Sequence, residues 1–195
     1  MPTNLLKEYP ELLEILHLPA DKRKESLLKI FKRDIEDNED FKFRGVQIYP
    51  IKTDGEIDMA REFMHLTTEE VEDIDENGQK QAKKRVFDMH RSQRLHWINH
   101  HIHERIPENI EIFSIVERDT NKRQNIIKTY IYDKEEKYLI VLECQRKGGY
   151  FLLTAVLSYG RIDTFAEDVP YRLHKVYLGL VDDCGEHRDV FVFVF

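Results

Sequence analysis

Apolar residues in the first part of the chain recur at helical spacing. Leu5, Leu6, Leu12, Leu13, Ile15 and Leu16 do so within residues 3–17, with Thr3 placed to cap and Pro10 to break the run. Pro19 and Asp21 open a second helix whose face is Leu27, Leu28, Ile30, Phe31 and Ile35, ended by the acidic run Asp34–Asp40. Short amphipathic helices of this kind pack on a core or engage a protein partner. Val46–Ile51 reads as a short strand with Pro50 at an edge or bend, and Ile57–Leu66 as a helix. Thr67–Gly78 is a polar, acidic connection.

From Gln79 the spacing predicts one long helix, starting at Lys80 or Asp88, running through Arg105 and stopped by Pro107. Phe87, Leu95, Trp97, Ile98, Ile102 and Ile106 give it an apolar stripe beside the basic positions Arg91 and Arg94. Four β-branched or aromatic-rich runs follow as strands: Ile110–Glu117, Asn125–Tyr132, Lys137–Cys144 and Tyr150–Ser158. The turns between them are short, so neighbouring strands are antiparallel. Val169–Tyr177 fits a helix or a strand equally. The terminal DVFVFVF alternates Phe191, Phe193 and Phe195 with Val190, Val192 and Val194, and two apolar faces suit a central or doubly covered strand. The predicted class is α+β, an antiparallel β-meander packed on a long helix, with an N-terminal helical extension over 1–78 and the main domain over 79–195.

Composition adds limits. A chain of 195 residues with 41% hydrophobic residues buries enough surface to fold without metal or disulfide staples. Cys144 and Cys184 lack CxxC spacing, which fits a reducing, cytoplasmic setting. No apolar run reaches membrane length, and charges interrupt the first residues where a signal peptide would be apolar, so no membrane association is expected. The net charge of −7 argues against a polyanionic partner until it is divided along the chain. Residues 1–78 carry 11 basic against 20 acidic side chains, whereas residues 79–106 carry 7 against 2. That local excess permits RNA binding.

Five of the nine histidines, His90, His96, His100, His101 and His103, lie in the predicted long helix. One reading is a metal clamp, because His96 and His100 have i, i+4 spacing with Glu104 one turn beyond, although the segment is not HExxH and no third-ligand motif stands elsewhere. A second is proton transfer by a histidine beside Arg91 and Arg94. A third is a solvated polar face. Lys80, Lys83, Lys84, Arg85, Arg91 and Arg94 form a basic stretch, to which Lys122, Arg123, Lys128, Arg146 and Lys147 add turn and strand cations. Tyr130, Tyr132 and Tyr150 are available to stack bases. Gly148-Gly149 reads as a hairpin turn, since no phosphate-loop or dinucleotide motif is present, and Cys144 as a packing residue in an apolar strand.

The succession FDMHRSQRLHWINHHI (Phe87 to Ile102), KYLIVLE (Lys137 to Glu143) and GGYFLLTAV (Gly148 to Val156) resembles a phage-associated family of the Barnase/EndoU/colicin E5–D/RelE-like ribonuclease fold, over about residues 85–160. The likeness rests on an R-x-x-R-L-x-W-I core, here Arg91, Arg94, Leu95, Trp97 and Ile98, and on a Y-F-L-L-T-A-Y strand. Val156 departs from the final tyrosine and removes a hydroxyl from that position. The resemblance implies toxin-like or phage-type RNA cleavage through the ribose 2′-hydroxyl, without metal or other cofactor. It implies His96, or His90, as base or acid, and Arg94, Arg91 and Arg146 on phosphate. Thr154 would donate to a non-bridging oxygen, and Tyr132 would stack a base or protonate the leaving group. The alternative is a non-catalytic phage-associated binding or structural protein that keeps this fold.

Overall fold

The computed structural model describes residues 3–50, 52–53, 55–71, 83–105, 109–119, 124–145, 148–157 and 192–194. Two compact units divide the chain, residues 1–105 and 106–195.

In the first unit only Thr3–Leu6 of the predicted opening helix is helical, as a 3-10 turn. Pro19, its φ fixed by the ring, precedes helix α1 (Ala20–Phe31) and accepts the Arg23 amide at 2.8 Å. Asp21 in the first turn and Lys29 in the last complement the helix dipole. Leu27, Ile30 and Phe31 are its buried face, and a wider π-type turn over Lys32–Glu36 also buries Ile35 and Asp34. The Asp34 carboxylate is held bidentately by Arg33 at 2.6 and 2.7 Å. Three short antiparallel pairs follow: β1 (Lys42–Phe43) with β2 (Val46–Tyr49), β3 (Lys52–Thr53) with β4 (Glu56–Ile57), and β5 (Thr68–Val71) with β6 (Lys84–Phe87). Helix α2 (Met59–Thr67) is capped by Asp58, whose side chain accepts the Arg61 amide, and it buries Phe63 and Leu66.

The single long helix expected through residue 105 is not formed. Residues 84–87 are strand β6, and the helical remainder is split into α3 (Met89–Ser92) and α4 (Trp97–Ile102). Asp88 caps α3 through the Arg91 amide at 3.0 Å. Gln93 explains the split. Its carbonyl accepts the Leu13 amide at 3.0 Å, while the Trp97 amide turns instead to Arg94, three residues back. The helix ends by local geometry before Pro107, with Glu104 in the left-handed region (φ 50°) and its carboxylate on the Arg44 guanidinium at 2.8 and 3.1 Å.

The second unit bears out the strand pattern. β7 (Ile110–Asp119), β8 (Gln124–Asp133), β9 (Tyr138–Cys144) and β10 (Tyr150–Leu157) form an antiparallel meander. β11 (Val192–Val194) joins β7 in parallel, so the sheet is mixed. Among the described strands of this unit β11 stands at the margin rather than at the centre. Asp133, fully buried, accepts the amides of Glu135 and Glu136 at 3.0 and 3.1 Å and so fixes the β8–β9 turn. Gly148 and Gly149, both at positive φ, close the β9–β10 hairpin as expected. The core rows run through Ile131, Tyr138, Ile140, Leu142, Leu152 and Ala155. Val169–Tyr177 lies outside the described residues. The architecture is α+β, with short helices and a mixed sheet.

Candidate nucleic-acid interface

Residues 88–103 position five of the candidate side chains in the first unit. His90 is exposed on α3. Arg91 donates from Nη1 to the carbonyls of His65 and Thr68, both at 2.8 Å, at the end of α2. Its guanidinium therefore satisfies carbonyls that a helix end leaves open, a structural task. Arg91→Ala should lower stability by about 1–3 kcal/mol. A urea midpoint unchanged by the substitution would show that those contacts contribute nothing.

Arg94 donates to the His90 carbonyl at 3.0 Å and lays its guanidinium over the Trp97 indole at 5.0 Å. Trp97 is fully buried, with Nε1–H donating to the Glu11 carbonyl at 3.1 Å. The Tyr9 ring stacks on His100 (4.5 Å, 19°) and meets Trp97 and His101 edge-on, each at 5.1 Å. His101, also fully buried, places Nδ1 2.7 Å from the Trp97 carbonyl. A carbonyl only accepts, so that nitrogen carries the proton.

His96 is only 5% exposed, and neither ring nitrogen has a hydrogen-bond partner among the described residues. Burial, and then the positive charge of Arg33, push its pKa down to about 4. The backbone carbonyls of Glu11 and Glu8 oppose that shift without completing a hydrogen bond. The ring is thus neutral near pH 7. Among the described residues no three histidine, cysteine, aspartate or glutamate side chains are grouped to hold a metal, so His96 and His100 lack a further ligand there.

In the second unit the register brings Lys128, Tyr132 and Thr154 to one face of the sheet. Tyr132 stands opposite Leu139, which stands opposite Val156, and Val141 links Tyr130 to Thr154. A bulge at Leu153, between Leu152 and Thr154, puts Thr154 on that face; an unbroken strand would turn it the other way. Tyr132 is 5% exposed and packs with Leu139 and Val141, while Phe113 and Tyr130 stack in parallel at 5.1 Å. Lys128 is paired with Glu117 at 2.6 Å, and Tyr130 donates to the other Glu117 oxygen at 3.0 Å. Burial, then that hydrogen bond, raises the Tyr130 pKa. Among the described residues Glu111, Glu117 and Glu143 share the face with Lys128, and Lys134 pairs with Glu111 at 3.2 Å. Arg146 lies outside the described residues.

The Tyr9 and Glu117 contacts were not among the sequence candidates. Tyr9 reaches a helix far away in the chain, and Glu117 needs the β7–β8 register before its partners are visible. Among the described residues no helix is long and apolar enough to cross a membrane. No protein-family model, curated protein or solved structure matches this chain.

Proposed function

We propose that this chain is an RNA-binding protein of ribonuclease-like, phage-associated type that does not cleave its ligand. Lys84, Arg85, Phe87 and His90 are exposed on the basic segment, so its cations stand beside an accessible aromatic ring. Cations interleaved with aromatic rings suit a single strand, whose phosphates and bases they contact separately. The observation that carries the non-catalytic reading is the burial of His96. A general base or acid must reach the reacting proton and titrate near the working pH. His96 is covered and its pKa lies at about 4. Val156, in place of the tyrosine of the resembling strand, supports the same reading, as does the pairing of Lys128 with Glu117.

Single-stranded RNA incubated with the protein in EDTA should remain intact. With about four phosphate contacts, affinity should fall roughly 50-fold between about 50 and 200 mM salt, and Lys84→Ala should flatten that dependence. Cleavage that His96→Ala abolishes would replace this reading with the nuclease one. Absence of salt-sensitive binding would remove both.

A further inference from the structure

The contacts of Tyr9 belong to a short loop tied down at both ends. Asn4 anchors one end, donating to the Glu14 carbonyl and the Ser26 hydroxyl at 3.3 and 2.9 Å and accepting the Glu14 amide at 2.7 Å. Leu13 and Ile15, both fully buried, anchor the other. Between them Glu8, Pro10 and Glu11 are exposed, and the loop meets α4 through the Tyr9 ring and the Glu11 carbonyl. We propose that the Tyr9 ring fills a slot for an unstacked RNA base, and that residues 7–11 form a lid which the base displaces. This rests on the RNA-binding reading and adds to it a base site and its cover.

Three observations converge on it. The slot is shaped for one planar ring, because His100 supplies a flat face while Trp97 and His101 supply edge contacts. Every base offers a ring of that kind, and single strands are held by such stacking. The lid carries Lys7, Glu8 and Glu11, with Lys7 and Glu11 paired at 3.0 Å, so it is acidic by one charge. It meets α4 within residues 83–105, which hold six basic and two acidic side chains. The lid therefore sets an aromatic ring on a segment of net negative charge where a nucleotide would set its base and phosphate. Finally, the lid's Glu8 and Glu11 carbonyls lie near His96, whose ring is left buried without a hydrogen-bond partner among the described residues. A closed state containing an unsatisfied polar ring is held less firmly than a fully satisfied one.

The test uses the full chain, a short oligouridine and an abasic oligomer of the same length. Tyr9→Ala should bind oligouridine about fivefold or more tightly than the wild type does, the stacking of a single base being sufficient for that change. Its affinity for the abasic oligomer should not change. Trp97 is the chain's one tryptophan, so wild-type emission should be quenched by oligouridine and not by the abasic oligomer. That second measurement decides the matter if Tyr9→Ala fails to fold. Salt-sensitive binding of both oligomers, with neither a Tyr9→Ala effect nor quenching, would overturn the lid while leaving RNA binding in place. Binding of neither oligomer by either protein would overturn both.

Discussion

Trp97→Ala is expected to cost about 3–5 kcal/mol, the range for emptying a buried aromatic site. The indole is fully buried, and three neighbours depend on it directly. Arg94 rests on its ring, Tyr9 meets it edge-on, and the Glu11 carbonyl accepts its N–H. Alanine leaves a cavity in a close-packed interior and deprives the Glu11 carbonyl of that donor. Urea denaturation followed by circular dichroism measures the loss. A cost below about 1 kcal/mol would mean that the first unit does not depend on this residue.

Acidification should draw about 3 kcal/mol from the folded state through His96 alone. In the unfolded chain the imidazole takes its proton as the pH falls through 6.5, whereas folded His96 does so only at about 4. Above 6.5 neither state is protonated and the full stability is present. Between the two values the unfolded state holds the extra proton, so stability declines as the pH drops. Arg33 adds to the penalty by like-charge repulsion, and Glu11 offsets part of it. Melting curves from pH 7.5 to pH 4 should therefore fall more steeply for the wild type than for His96→Leu, which keeps the bulk and removes the titration. Parallel curves would assign the acid sensitivity to the carboxylates instead.

The strands of the second unit were legible because alternation and β-branched content agree over 110–132, and their ends differ from expectation by only one or two residues. The bulge at Leu153 was not legible. Nothing in YFLLTAV marks which residue is surplus, and only pairing with β9 reveals it. Residues 84–87, which a helix start at Lys80 would include and one at Asp88 would not, were undecided for a related reason. KRVF suits a helix or a strand, and its β5 partner TEEV lies in a segment that reads as a polar connection. The break in the expected helix depends on a carbonyl captured by Leu13, a contact that no local period encodes. The candidate site divides similarly. Local charge excess identified the basic segment, and strand parity allows Lys128 and Tyr132 to share a face. Burial of His96 and the ring of Tyr9 over α4 were hidden, because Trp97 and its acceptor Glu11 are 86 residues apart in sequence.

The parallel pairing of β11 with β7 sets an order of assembly. The meander needs only short loop closures, so β7 to β10 can zip together early. Val192–Val194 must find Ser114–Val116 across a long separation, and a parallel partner cannot arrive through a tight turn. Until it does, the middle of β7 keeps on its outer side a row of amides and carbonyls that no other described strand pairs. During synthesis that row is exposed for as long as the ribosome takes to reach residue 194. The vulnerable interval for mispairing is thus set by translation time rather than by the stability of the finished sheet.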